Sequence, residues 1–193
     1  MNAACIILAA GNSSRMNFHK ALLPFSEGEN FIQHIVNVYK EAGIDKIIGV
    51  VNAETISKLG FSDKIKLIEN KKPELGRLHS LQLGLSVLPE TEFCFVQNVD
   101  NPFVTAELLQ QLYAEKNEGD FIAPYYKGKG GHPVLISKKI IKEISETKAN
   151  KQISLHDVLI KFKKKQLESL NEKIMININS MDDFNHYFKA AIK

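Results

Sequence analysis

The stretch AACIILAAGNSSRMNFHK, residues 3–20, joins an apolar run to a loop of small residues that is followed by two cations. The apolar half lacks polar alternation, which is typical of a parallel strand buried on both faces. Gly11 and its small neighbours can turn backbone N–H groups toward phosphate oxygens, and Arg15 and Lys20 supply positive charge. The stretch therefore predicts an anion site after a first, buried strand. The alternative is a simple turn with solvated cations.

The rest of the chain alternates apolar runs with amphipathic stretches, which predicts an α/β fold with a mostly parallel, doubly wound sheet. The predicted strands cover residues 3–10, 46–52, 65–70, 92–100, 120–126, 131–137 and 174–179. The predicted helices cover residues 30–43, 78–88, 105–116 and 137–148. The charge-rich segment 161–173 is interpreted as a solvated helix or loop face, with a basic pocket rim as the alternative.

Length and composition limit the function classes. The 193 residues suit a single domain, residues 1–193, and 44% hydrophobic with 24% charged residues is typical of a globular protein. A net charge of +3 is too small to indicate nucleic acid as the main partner. No targeting signal and no run of about 18 apolar residues is present, so we expect a cytoplasmic protein without membrane contact. Cys5 and Cys94 lie in apolar runs and are predicted to be buried, reduced thiols.

Asp100 is the best candidate metal ligand among the residues that follow the predicted strands. Ligands of open α/β sheets bind where the strands end, and Asp100 ends a buried strand just before Asn101 and Pro102. Mg²⁺ prefers a few hard oxygen ligands and shares the rest of its shell with phosphates. A helix N-cap is the alternative role for Asp100, but Thr105 is better placed for it.

Four segments together resemble the MobA-like nucleotidyltransferases, the group that contains molybdenum-cofactor cytidylyltransferases. LAAGNSSRMNFHKALLPF resembles the family's LAAGxSxRMGxxKxLLP motif, and NKKPELGRLHSLQLGL its second loop. VDNPFV is similar to the family's Asp-x-Pro metal segment, and GKGGHPVLIS to its Gly-x-Pro loop. The resemblance spans nearly the whole chain in order. It implies a three-layer α/β/α, Rossmann-like nucleotidyltransferase fold.

The resemblance also implies roles for individual residues. Arg15, Lys20 and Asp100 are implied to be catalytic, and Asp100 is implied to hold Mg²⁺, or alternatively Mn²⁺, together with Asn179. Asn179 stands in NIN where relatives usually have DID, so one formal charge is missing. Acceptor binding is implied for Lys129, Gly131 and His132. Nucleotide binding is implied for Leu8, Ala9, Ala10, Gly11, Ser13, Ser14, Arg15, Lys20, Gly76 and Ser80.

The implied reaction transfers CMP from CTP to a phosphorylated small molecule, either molybdopterin or a sugar or polyol phosphate, and releases pyrophosphate. CTP is favoured over GTP because Ala10 gives the LAAG form of the first loop, which resembles cytidylyl-transferring members, rather than LAGG. His156 stands where relatives commonly have arginine. A noncatalytic nucleotide-binding module of the same fold is the alternative. A Rossmann dehydrogenase is disfavoured because GxGxxG is absent.

Overall fold

A computed structural model of the chain describes residues 1–11, 19–59, 63–148 and 153–188. The strands are β1 (Ala4–Ala9), β2 (Pro24–Ser26), β3 (Glu29–Asn30), β4 (Lys46–Val51), β5 (Lys66–Glu69), β6 (Phe93–Asn98), β7 (Phe121–Tyr126), β8 (Lys129–Gly130), β9 (Val134–Ser137) and β10 (Lys164–Glu168). The α-helices are α1 (Phe31–Glu41), α2 (Ala53–Leu59), α3 (Gly76–Leu85), α4 (Ala106–Ala114), α5 (Lys138–Glu146), α6 (Leu155–Leu159) and α7 (Met181–Phe188). Short 3-10 turns cover Lys20–Leu22, Pro73–Leu75 and Glu172–Met175.

The central sheet has the order β10-β7-β9-β6-β1-β4-β5, with β8 paired to β7. β1 is parallel to β4 and β6, β4 to β5, and β7 to β10. β9 is antiparallel to both of its neighbours. The predicted mostly parallel α/β sheet is therefore confirmed. Leu8 lies opposite Val50 and Asn98, so the carboxyl ends of β1, β4 and β6 meet at one edge.

Alternate residues of β1 enter two hydrophobic cores, because successive side chains of a strand point to opposite faces of the sheet. Cys5 and Ile7 pack with α1, α4 and α7, whereas Ala4 and Ile6 pack with α3, α5 and α6. Gly84 lets α3 lie close to β1, because a Cβ there would stand 2.8 Å from Ile6 Cγ2. The helices thus cover both faces of the sheet, and the predicted three-layer architecture is confirmed.

The two cysteines are buried, as predicted. Burial raises the pKa of the Cys94 thiol to about 12 and also raises that of Cys5 well above its usual value. Both thiols are therefore protonated and unreactive at neutral pH. Within the described residues, none of the helices has both the length and the apolar character that crossing a bilayer requires.

The strand predicted at 174–179 is wrong. A 3-10 turn ends at Met175, and the residues from 176 to 180 have no regular secondary structure. A strand occurs instead inside the charge-rich segment 161–173, where β10 pairs in parallel with β7 at the edge of the sheet. Along β10, exposed residues alternate with half-buried ones, and lysines are common on edge strands because they oppose association with other strands. The charge of the segment concealed this alternation.

Candidate functional site

A cavity opens at the edge of the sheet where β1 and β6 end and α3 begins. Such a position, outside the carboxyl ends of parallel strands, is the usual ligand site of open α/β sheets. The structure brings together there most of the residues that were predicted to bind a nucleotide or a metal: Leu8, Ala9, Ala10, Gly11, Lys20, Gly76, Ser80, Asp100 and Asn179. Ser13, Ser14 and Arg15 lie outside the described residues.

Lys20 connects two distant parts of the chain at this cavity. It begins the short 3-10 turn that follows the first loop. Its Nζ donates to Asn179 Oδ1 at 2.7 Å and to Asp100 Oδ2 at 3.2 Å. The side chains of Lys20 and Asp100 are 18% and 11% exposed, so water screens their ion pair only in part. The arrangement places one cation against two converging oxygen atoms.

Asp100 and Asn179 fit a small divalent cation in chemistry and in position. Both offer hard oxygen atoms, and both already contact the same positive charge. Asp100 Oδ1 is buried and has no hydrogen-bond partner among the described residues, so it retains a free acceptor. In residues 1–11, 19–59, 63–148 and 153–188, no group of three His, Cys, Asp or Glu side chains could hold a metal. A metal held by these two residues would therefore need further oxygens from substrate and water.

Asn179 is held at the start of α7 by a helix-capping arrangement that Ser180 and Asp183 form. Asp183 Oδ2 accepts from the backbone N–H groups of Asn179 and Ser180, both at 2.9 Å, and Asp183 N donates to Ser180 Oγ. The hydrogen bond from the Asn179 N–H group is the main cause that lowers the pKa of Asp183. The carboxylate is thus ionised at neutral pH and fixes the backbone beside Asn179.

The wall formed by α3 supplies neutral polar groups. Ser80 is buried in the first turns of α3, and its Oγ accepts a 2.9 Å hydrogen bond from Asn70 Nδ2. Asn70 follows β5 and also accepts from the Lys72 backbone N–H group. Gly76 begins α3 with a positive φ of 87°, a backbone conformation that favours glycine. The N-terminus of this helix favours an anion or a hydrogen-bonding ligand.

A second cavity of about 670 Å³ adjoins the first. The two share Leu8, Gly76, Arg77 and Asn98, so they form one continuous cleft. Gly131 and His132 line the second cavity, together with His156 and Lys164. Lys129 lies exposed on β8 and is not part of the described lining, so its acceptor role stays a prediction. The described wall of this cavity carries lysine and arginine but no acidic side chain.

His132 lines the second cavity and contacts Asn98, which lines both cavities. Its Nε2 lies 3.0 Å from Asn98 Nδ2, which donates when this ring nitrogen is unprotonated. Burial lowers the pKa of His132, while the charge of Asp100 opposes this shift and Arg77 reinforces it. The imidazole is therefore neutral at pH 7. It acts there as a hydrogen-bonding group and not as a fixed cation.

Sequence reasoning missed several polar residues of the cleft. Asn98 ends β6 and Arg77 lies in the first turn of α3, and only their positions relative to strand ends could have indicated them. His19 also lines the first cavity, held by Asn52 Nδ2 at 2.9 Å and by Glu54 Oε2 at 2.5 Å. No local motif distinguishes these residues from ordinary surface positions.

The fold and the cleft define an α/β protein with a cavity at the ends of its parallel strands, where one lysine contacts an aspartate and an asparagine. Residues 5–167 match the model of the MobA-like NTP transferase domain. The chain therefore belongs to the MobA-like NTP transferase family, and it is a nucleotidyltransferase.

Named relatives cover nearly the whole chain. The molybdenum cofactor cytidylyltransferase of Escherichia coli K12 is 28% identical over 181 residues, which is 93% of this chain and 92% of that protein. A probable molybdenum cofactor guanylyltransferase of Flavobacterium johnsoniae is 29% identical over 183 residues, 93% of each. The crystal structure of Rv0371c of Mycobacterium tuberculosis H37Rv in complex with manganese is similar in fold, with a TM-score of 0.75 at 17% identity, covering 98% of this chain and 100% of that one.

Proposed function

We propose that this nucleotidyltransferase transfers CMP from CTP to a phosphorylated small-molecule acceptor and releases pyrophosphate. The observation that carries the proposal is the contact of Lys20 with both Asp100 and Asn179 at the end of the parallel strands. An ammonium group and two metal-type oxygens at one point suit a reaction in which charge develops on a phosphate. We also propose that residues 1–193 form one domain.

The reaction needs positive charge more than it needs a dedicated base. Charge in phosphoryl and nucleotidyl transfer spreads over the nonbridging oxygens and the leaving group. Lys20, with Arg15 of the first loop, is proposed to bind these oxygens and to stabilise the departing pyrophosphate. A phosphate-monoester acceptor has a second pKa of about 6, so it is already ionised at neutral pH. Lys20 and Arg15 would orient the α-phosphate toward it and hold the leaving group.

Asp100 and Asn179 are proposed to hold Mg²⁺, with Mn²⁺ as the alternative. The bound ion would neutralise charge on the triphosphate and polarise its oxygens. The free Oδ1 of Asp100 and the two contacts to Lys20 support this assignment. The known manganese complex of a protein with this fold agrees with a divalent ion but does not identify the metal used here.

The choice of nucleotide is inferred from Ala10. This residue is buried directly after β1 and gives the LAAG form that resembles cytidylyl-transferring members. Relatives of this chain are named for both nucleotides, so the preference for CTP rests on the Ala10 methyl group.

The second cavity is proposed to bind the acceptor. Arg77 and Lys164 at its wall provide charge for a phosphate group, whereas His156 stands where relatives commonly have arginine. A molybdopterin-type phosphate fits the names of the relatives, and a sugar or polyol phosphate is the alternative acceptor.

A melting-temperature screen tests the nucleotide and acceptor assignments. We expect CTP with Mg²⁺ to raise Tm more than GTP, ATP or UTP does, because a ligand that binds only the folded state stabilises it by about 2.7 kcal/mol at 100 times Kd. The screen is then repeated with phosphorylated acceptors added to CTP. Equal protection by all four nucleotides would contradict the preference for CTP. NAD is included for comparison, and stronger protection by NAD than by any of the four nucleotides would contradict the proposed nucleotidyl transfer.

A further prediction follows from the contact between Lys20 and the two oxygens. A divalent ion at these oxygens would lie close to the ammonium group, and the two positive charges would repel each other. Lys20 would therefore compete with the metal when no nucleotide is bound. We expect Lys20→Met to bind Mn²⁺ about tenfold more tightly than the wild type does in the absence of nucleotide, as measured by loss of the free-ion EPR signal.

The matched control for this titration is Lys40→Met. Lys40 forms a 3.1 Å ion pair with Asp45, which is not among the residues lining the cleft. This variant should bind Mn²⁺ like the wild type. Weaker Mn²⁺ binding by Lys20→Met would mean that the metal does not use the oxygens that Lys20 contacts.

A further inference from the structure

An extended segment of the chain carries Asn179 to the cleft. Among the described residues, this segment pairs with no strand of the sheet. It runs from the Glu172–Met175 turn to the start of α7. Its backbone polar groups still need partners where they are buried. Ile174 and Ile178 are 1% and 0% exposed, so the segment is anchored in the core on both sides of residue 176. Side-chain hydrogen bonds take the place of a strand ladder here.

Asn101 supplies these hydrogen bonds. Its side chain is fully buried, and its Nδ2 donates to Ile174 O at 2.9 Å and to Ile176 O at 2.8 Å. The opposite amide orientation would set Oδ1 against two carbonyl oxygens, so only this orientation is chemically consistent. Ile174 O also accepts from the His132 backbone N–H group at 3.3 Å. Among the described residues, only Asn101 donates to Ile176 O, whereas Ile174 O accepts from both Asn101 and the His132 backbone N–H group.

The residue before Asn101 adds a third connection to the same segment. Asp100 O accepts from the Ile178 backbone N–H group at 2.7 Å. Asp100 and Asn179 are thus joined through one short path: the peptide of residues 100 and 101, the Asn101 side chain and the backbone of residues 176–178. This path fixes the separation between the two side chains that contact Lys20.

The backbone carbonyl of Asn101 is bound by a buried side chain of the core. Gln97 Nε2 donates to Asn98 O at 2.8 Å and to Asn101 O at 2.9 Å, which brackets the turn containing Asp100. Tyr39 in turn donates to Gln97 Oε1 at 3.2 Å from α1. The turn is therefore fixed independently of the segment that it holds, so loss of the Asn101 amide releases the segment and not the turn.

We propose that Asn101 is a positioning residue that sets Asn179 against Asp100. The inference rests on the metal role proposed for these two residues. Partners that orient metal ligands typically change metal affinity by about 10- to 100-fold when they are removed. Asn101 differs from an ordinary buried amide because its two bonds go to the segment that ends at Asn179. Its removal leaves the metal oxygens present but less firmly held, because the bond from the Ile178 N–H group to Asp100 O then joins the segment to the turn without the two amide bonds.

The test compares Asn101→Ala and Asn101→Leu with Gln82→Leu. Both Asn101 variants remove the donor, and leucine retains most of the side-chain volume in case the alanine variant does not fold. Gln82 is the matched control, because its Nε2 also donates to two backbone carbonyl groups, those of Ile144 at 2.7 Å and Thr147 at 2.6 Å, and because it does not line the cleft. Mn²⁺ binding to the nucleotide-free proteins is measured by EPR, and amide hydrogen exchange of residues 176–180 is measured in parallel.

We expect about 10- to 100-fold weaker Mn²⁺ binding and faster exchange at residues 176–180 in the folded Asn101 variants. Gln82→Leu should bind Mn²⁺ within about twofold of the wild type. Wild-type Mn²⁺ affinity in a folded Asn101 variant overturns the positioning role while leaving the metal site intact. A wild-type protein that binds no Mn²⁺, either alone or in the presence of CTP, overturns the proposed metal role itself, and this inference with it.

Discussion

Replacement of Lys20 by alanine is expected to lower kcat by about 100- to 1000-fold. A donor that stabilises charge developing in the transition state contributes roughly 3 to 4 kcal/mol, and Lys20 is the described cation that lies against Asp100 and Asn179. The rate of pyrophosphate release from CTP with saturating acceptor measures the effect. Circular dichroism and Tm show whether the variant remains folded.

Lys40→Ala is the matched control, because Lys40 also forms an ion pair, at 3.1 Å, but away from the cleft. Its kcat should stay within about twofold of the wild-type value. A Lys20→Ala protein that retains more than about a third of the wild-type rate would contradict the assignment of Lys20 to the reacting phosphates.

Asp100→Asn is expected to remove Mg²⁺-dependent activity almost completely. Asp100 supplies the one formal negative charge among the two proposed metal ligands, and two neutral amides cannot offset the desolvation of a divalent ion. The measurement is the rate as a function of Mg²⁺ concentration. Asp45→Asn is the control, since the Asp45 side chain is 83% exposed and pairs with Lys40. Activity of Asp100→Asn that saturates at the wild-type Mg²⁺ concentration would exclude Asp100 from the metal shell.

The reverse change, Asn179→Asp, tests the same pair from the other side. It introduces the second carboxylate that relatives usually carry, so the Mg²⁺ concentration for half-maximal rate should fall. Turnover is expected to decrease in parallel, because a more fully neutralised metal withdraws less charge from the phosphates. A Mg²⁺ curve superimposed on that of the wild type would show that Asn179 does not contact the metal.

The sequence predicted the elements that depend on local pattern. β1, β4 and β6 are continuous apolar runs, and amphipathic spacing revealed α1, α3, α4 and α5. β10 was missed because three of its five residues are charged, and its pairing with β7 is a nonlocal contact. The prediction of a strand at 174–179 was wrong. The apolar residues that alternate with asparagine there anchor the segment in the core and do not belong to a hydrogen-bonded sheet.

Residues of the candidate site that lie in a short continuous motif could be predicted from the sequence, and isolated residues could not. Residues 8–11, Gly76, Ser80 and Asp100 follow from short segments of sequence, and the structure places all of them at the first cavity. Asn179 was predicted through a strand that does not exist, yet the cap at the start of α7 and the Asn101 amide bring it to the cleft. Asn98 was missed because a single asparagine at the end of a strand carries no distinctive local pattern.

The central claim is tested most directly by following the α-phosphate of CTP. The purified protein is incubated with Mg²⁺, CTP labelled at the α-phosphorus and a panel of phosphorylated acceptors, and both the labelled product and pyrophosphate are quantified. We expect one acceptor to take up label as a CMP ester with one pyrophosphate released per labelled product, and we expect Asp100→Asn to abolish both. Protection of the protein by CTP without pyrophosphate release from any nucleotide and acceptor would contradict the account and indicate a noncatalytic nucleotide-binding module.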